Sequence, residues 1–233
     1  MSTLFTSELT VKLIDGMGSD DAIIRAARVS TGNDEEELSP EKRAGLINYL
    51  AKKRHGSPFE HTAFTFYVEA PIFVFREFMR HRIASYNETS ARYRKMDPKF
   101  YIYPADRPLV QEGSGAHPKL VTGSEELTTL VEEEIRAVGE FAWIAYDRML
   151  EAGAANEVAR AVLPVNLYSS MYVTVNARAL MNFLSLRIDD EGNTFETKPQ
   201  WEIQKVAEQM EAIFKQHFPI TWDAWNRNGR VAP

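Results

Sequence analysis

The sequence predicts an α+β protein, with mixed helices and an antiparallel-type sheet in a single domain over 1–233. Two observations predict it. Thr62 to Glu69 alternates with period two: Phe64, Phe66 and Val68 point one way, Thr65, Tyr67 and Glu69 the other, as in a half-buried strand. Several longer stretches carry apolar residues at helical spacing. The strands are separated by helices, so an α/β arrangement stands as the alternative.

The elements follow in order. Leu9 to Ile14 suits a short opening strand. Asp20 to Val29 places Ile23, Ile24 and Ala27 at helical spacing. Ser39-Pro40-Glu41 is a helix start, with serine as cap and proline in the first turn, and the helix runs to about Lys53. After the strand at 62–69, Pro71 opens a helix through roughly Ile83. Ser85 to about Pro108 holds Asp97-Pro98, Pro104 and Pro108 and reads as a long irregular stretch, of a length that usually signals function. Glu125 to Leu150 is a long amphipathic helix. Asn156 to Leu163 is a short helix stopped by Pro164. Leu167 to Val175 is a strand, Ala177 to Ile188 a helix, Asp189 to Lys198 a polar turn, and Pro199 to Phe214 the last helix.

Composition narrows the function. The formal charge is -6 and the pI about 5.5, which argues against a broad basic surface for nucleic acid. No apolar run is long enough to span a bilayer, and Met1-Ser2-Thr3-Leu4 lacks a secretion signal; the expected location is the cytoplasm, with no membrane partner. There is no cysteine. That removes disulfides, thiolate metal sites and thiolate nucleophiles. His55, His61 and His81 form no metal-binding spacing, so no metal is expected. Asp34 to Glu37 and Glu132 to Glu134 read as solvated acidic runs. Phe73, Phe75 and Phe78 read as core. Trp143, Trp201, Trp222 and Trp225 read as packing or subunit contacts.

Against this acidic background, residues 80 to 92 stand out. They run Arg80-His81-Arg82-Ile83-Ala84-Ser85-Tyr86-Asn87-Glu88-Thr89-Ser90-Ala91-Arg92. Arginine pairs bidentately with phosphate or carboxylate, which lysine does not. A second cluster lies on the helix at 177–188. There Leu180, Phe183, Leu184 and Arg187 fall at spacing i, i+3, i+4, i+7, so Arg187 ends an apolar stripe. On spacing alone a structural ion pair or a snorkelling side chain suits it. Arg178 and Asn182, one turn apart, share another face. Ser90 has no base at recognisable spacing and reads as an anion ligand rather than a nucleophile.

The first segment resembles the signature of the flavin-dependent thymidylate synthases: Arg-His-Arg, two residues, Ser, one residue, Asn, two residues, Ser, one residue, Arg. Ala159-Arg160-Ala161-Val162-Leu163-Pro164 and Thr174-Val175-Asn176-Ala177-Arg178, with Asn182 and Arg187 beyond, resemble that family's second half. The similarity runs from about Ser30 to the last helix. It implies that fold and the conversion of dUMP to dTMP. Methylenetetrahydrofolate would donate the carbon, FAD would carry hydride, NADPH would reduce the flavin, and tetrahydrofolate would be released. It implies flavin contacts at Ser57, Arg80, His81, Arg82, Glu88, Asn176, Arg178 and Asn182, with Ser30 and His55 also at active-site positions. Nucleotide contacts would come from Glu77, Arg80, Glu88, Ser90, Ala91, Arg92, Arg160 and Arg187. Arg187 would be the catalytic arginine facing the uracil ring. It also implies a homotetramer with sites shared between subunits. The chain has no Gly-x-Gly-x-x-Gly, so FAD would not be held in the Rossmann manner.

Two residues depart from the commonest family pattern. Ala91 stands where many members have glycine, and a positive φ there would strain it. Glu77 stands where many have glutamine, and it lies one turn before His81, where it can orient that ring. A nucleotide-binding module without turnover and an RNA-binding protein are the rival readings.

Overall fold

The computed structural model describes residues 3–33, 37–113 and 119–233. The acidic run at 34–37 lies outside them except for Glu37. The elements are β1 (Leu4–Thr6), β2 (Thr10–Met17), α1 (Asp20–Arg28), α2 (Pro40–Lys52), β3 (Ala63–Pro71), α3 (Ile72–Phe78), β4 (Ser85–Glu88), β5 (Lys99–Tyr101), β6 (Val110–Glu112), β7 (Lys119–Val121), α4 (Glu125–Glu151), α5 (Asn156–Ala159), β8 (Tyr168–Val175), α6 (Ala177–Arg187), α7 (Trp201–His217) and α8 (Pro219–Arg227). The class is α+β. Among the described residues no helix is long and apolar enough to cross a membrane.

The chain builds two compact units, each from three stretches. One comprises 1–9, 69–77 and 88–170; the other comprises 10–68, 78–87 and 171–233. In the first, β1 pairs parallel with β5, and β6 pairs antiparallel with β7. Its core gathers Met96, Phe100, Trp143, Tyr146, Ala159 and Leu167. Trp143 and Tyr146 project from α4 one turn apart, which is why this long helix buries one stripe and leaves Phe141 and Ile144 outside. The Tyr146 hydroxyl accepts from the Met96 amide, 3.1 Å, so its polar end is satisfied where its ring is buried.

The second unit carries the sheet in the order β2-β3-β8-β4. The period-two pattern holds along β3: Phe64, Phe66 and Val68 are buried. Phe64 stacks with Phe66 and meets Phe214 and Phe218, so α7 covers this face of the sheet. Each such ring contributes on the order of 1.5–3 kcal/mol by leaving water. Helix α2 packs on α8, and α7 on both α6 and α8. Ser39 caps α2, accepting from Lys42. Asp20, buried in the first turn of α1, accepts from the Ile220 and Thr221 amides and the Thr221 hydroxyl at 2.6 to 3.0 Å. It thereby satisfies orphan N–H groups at the start of α8.

Three sequence expectations need correction. Helix α3 stops at Phe78, not near Ile83. The Tyr86 hydroxyl lies 2.8 Å from the Phe78 carbonyl and 2.7 Å from that of His81. A partner from β4 thus takes over carbonyls that a longer helix would have used. The stretch after Ser85 is not wholly irregular, because β4 and β5 lie within it. The C-terminal region holds two helices, since Pro219 has no N–H to continue α7 and opens α8 instead.

Candidate active site

In the second unit a cleft of about 510 Å³ draws on two distant stretches. The turn after α3 supplies Arg80, His81 and Arg82. The start and inner face of α6 supply Asn176, Arg178, Asn182 and Arg187. Asn176 is the α6 N-cap, its side chain accepting from the Ala179 amide at 2.8 Å. Arg178 and Asn182 lie one turn apart on α6, and Arg187, the last residue of the helix, also reaches the cleft. Four guanidinium groups line it together with the carboxylate of Glu60, so the cleft favours an anion.

Two arginines are already held. The Arg178 Nη1 donates to Glu60 at 2.6 Å and its Nε to the Pro233 carbonyl at 2.5 Å. The Arg187 Nε donates to His81 Nε2 at 3.0 Å. Burial, and then the neighbouring Arg187 charge, pull the His81 pKa down to about 4. At neutral pH this ring is an uncharged acceptor. As pH falls from about 6.5 toward 4, the unfolded chain takes up a proton that the folded ring refuses, so stability falls through that window and is unaffected by this residue above it. Thermal melts of wild type and His81→Phe across pH 4 to 8 check this. The wild-type melting temperature should drop more steeply than the variant's below pH 6.5, with the two slopes equal above it.

The first unit has a second cavity, of about 290 Å³, lined by Ile72, Glu88, Ser90, Ala91, Arg160 and Ser169 among others. Burial pushes the Glu88 carboxyl up, while the nearby Ser169 hydroxyl opposes that. The Ser169 oxygen is buried and makes no hydrogen bond of good geometry, although it lies close enough to favour the charged carboxylate. An unsatisfied buried hydroxyl is uncommon and costly. Sequence analysis did not single out Ser169. Its strand pattern was legible, but nothing in it showed that this hydroxyl would be buried beside a carboxyl.

The sequence candidates therefore sort by place. Arg80, His81, Arg82, Asn176, Arg178, Asn182 and Arg187 meet in the cleft, and Glu88, Ser90, Ala91 and Arg160 in the cavity. Five others line neither. Ser30 is exposed, its hydroxyl donating to the Ala27 carbonyl. His55 is exposed with its ring edge-on to Tyr49, and Ser57 opens a short 3-10 turn. Glu77 is half-buried on α3. Arg92 is ion-paired with Glu157 at 2.9 Å. Among the described residues the non-glycine positive φ values fall at Arg54 and Arg230, so Ala91 occupies ordinary backbone without strain.

The comparisons agree with one another. The family model described as "Thymidylate synthase complementing protein" matches residues 12–220. The flavin-dependent thymidylate synthase of Streptomyces avermitilis is 50% identical, over 98% of this chain and 95% of its own length. That of Tropheryma whipplei is 48% identical, over 100% and 98%. The crystal structure of the UMP/dUMP methylase PolB from Streptomyces cacaoi, bound with 5-Br dUMP, superposes with a TM-score of 0.94 at 45% identity, covering 99% of this chain and all of that one. With likeness of this extent in sequence and in backbone, the chain belongs to the flavin-dependent thymidylate synthase family of enzymes.

Proposed function

We propose that the protein methylates dUMP to dTMP, with FAD as its cofactor, methylenetetrahydrofolate as carbon donor and NADPH as reductant, in a cytoplasmic homotetramer whose sites are shared between subunits. The observation that carries this reading is the meeting of Arg80, Arg82, Arg178, Asn176 and Asn182 in one cleft. The residues present fit the cofactor. A dinucleotide brings a pyrophosphate, which guanidinium groups hold bidentately, and the asparagines supply donors and acceptors for the polar remainder. The backbone also approaches closely. A Cβ on Gly56 would lie 2.5 Å from Arg178 Nε and 2.8 Å from the Pro233 carbonyl oxygen. When bound, the flavin supplies the hydride that the reductive methylation needs.

The chain's own residues do the rest. Arg160 and Ser90 bind the nucleotide phosphate, with Arg92 two residues beyond Ser90. Glu88 offers its carboxyl to the same ligand. In the site shared between subunits, Arg187 places a positive charge beside the pyrimidine, stabilising an ionised ring and so making C5 more nucleophilic. That route suits a chain with no cysteine.

The decisive experiment is a visible spectrum of the purified protein before and after anaerobic NADPH, followed by addition of dUMP and the folate. A yellow protein that bleaches with NADPH and releases tetrahydrofolate supports the reading. A colourless protein that takes up no added FAD ends it. Two variants refine it. Arg82→Ala should lose flavin on gel filtration, and Gly56→Ala, by turning Arg178 aside, should weaken flavin binding about tenfold, or ~1.4 kcal/mol. Because one solved relative is a UMP/dUMP methylase, UMP is the second substrate to assay.

A further inference from the structure

We infer that His81 is a positioning residue for Arg187: its neutral imidazole, accepting at Nε2, sets the plane in which the guanidinium meets the substrate. This rests on the reading of Arg187 above and adds a partner to it. The hydrogen bond joins residues 106 apart in sequence at 3.0 Å. Arg187 spends its Nε–H on it, the donor nearest the chain, and that choice fixes the tilt of the planar group beyond. An acceptor at Nε2 requires the ring proton on Nδ1.

The imidazole is itself anchored. Its edge meets the Phe183 ring at 4.9 Å, and Phe183 stacks on Phe78 at 4.9 Å. The His81 amide donates to the Phe78 carbonyl at 2.9 Å, and the Tyr86 hydroxyl lies 2.7 Å from its own carbonyl. Backbone and ring are therefore both held, and a held ring can hold another group. Burial and the Arg187 charge keep the ring uncharged, so it does not repel the cation it orients. Arg80, Arg82, Arg178 and Glu60 are the other charged groups lining this cleft. An arginine left to rotate would spread its charge over many directions, and misplacement of a charged group by about 1 Å can cost on the order of 10²-fold in rate.

The test has two parts. The first needs no turnover: nitrogen NMR of the protein with labelled histidine and flavin removed. The His81 Nδ1 should carry the proton, and Arg187→Ala should change the Nε2 signal. An Nε2-protonated His81 in the wild type overturns the inference. The second part is kinetic, per bound flavin. His81→Phe keeps a ring against Phe183 but removes the acceptor, and its kcat should fall about 10- to 100-fold with little change in KM for dUMP. His81→Gln restores an acceptor near the Nε2 position and should recover at least about tenfold. The double variant His81→Phe/Arg187→Ala should be no slower than Arg187→Ala alone. Multiplying effects, or a wild-type kcat in His81→Phe while Arg187→Ala is crippled, overturn it. If His81→Phe does not fold, His81→Gln and the NMR measurement decide. Normal turnover in Arg187→Ala would instead sink the role given to Arg187.

Discussion

Replacing Arg187 with alanine should lower turnover of dUMP by roughly 10² to 10³-fold, the scale of removing one preorganised donor from a charge-stabilising site. Flavin content should stay within about twofold, because the other guanidinium groups of the cleft remain. The loss should appear in kcat and in kcat/KM together, since an interaction made with developing charge is absent from the ground state. Lysine at this position should rescue little. It restores the charge but has no planar fork and no inner N–H for His81. Steady-state kinetics on flavin-loaded protein decides the point. Near-normal kcat in Arg187→Ala would show that the arginine serves packing only, as its place at the end of an apolar helix stripe would otherwise suggest.

The second large effect lies outside the chemistry. Arg230 is 2% exposed and pairs with Glu211 through both terminal nitrogens at 2.8 Å. Its Nε donates to Asn193, and its guanidinium lies 4.3 Å from the centre of the Trp225 ring. Arg230→Ala leaves the Glu211 carboxylate low in the protein without its counter-charge. The expected loss is about 3–5 kcal/mol, or roughly 10 °C in melting temperature for a chain of this size. Arg230→Met with Glu211→Leu should recover most of it, because no lone charge then remains. Melts at matched flavin saturation measure both. A drop no larger for the single variant than for the double would refute the account. Flavin retention should fall as well. Arg230 directly precedes Val231, whose carbonyl accepts from Arg54 at 2.5 Å, and Ala232 and Pro233, which line the cleft.

Local chemistry was legible where it was also the deciding chemistry. Ser39-Pro40 announced α2 because cap and proline act within one turn. Phe64, Phe66 and Val68 announced β3 because a strand with one buried face must alternate. Arg178 and Asn182 could be read as one helix face because they lie one turn apart, whereas Arg187 fell on the apolar stripe and was joined to them only by the family resemblance. What escaped was decided by partners far along the chain. Tyr86 ends α3 from another strand. Strands β1 and β5 are three residues each and gain their hydrogen bonds from one another. Asp20 caps a helix 200 residues away. The His81–Arg187 bond and the buried Ser169 hydroxyl belong to the same class: their residue types were visible, but the distances between them were not.

The interleaving of the two units has a consequence for biosynthesis. Each is stitched from three separate stretches, the last ending at residues 170 and 233. On the ribosome, neither can close until strand β8 has emerged, and the second needs almost the whole polypeptide. Until then the phenylalanines of β3 have no cover. The nascent chain should therefore lean on chaperones during synthesis, and limited proteolysis should release no autonomous fragment.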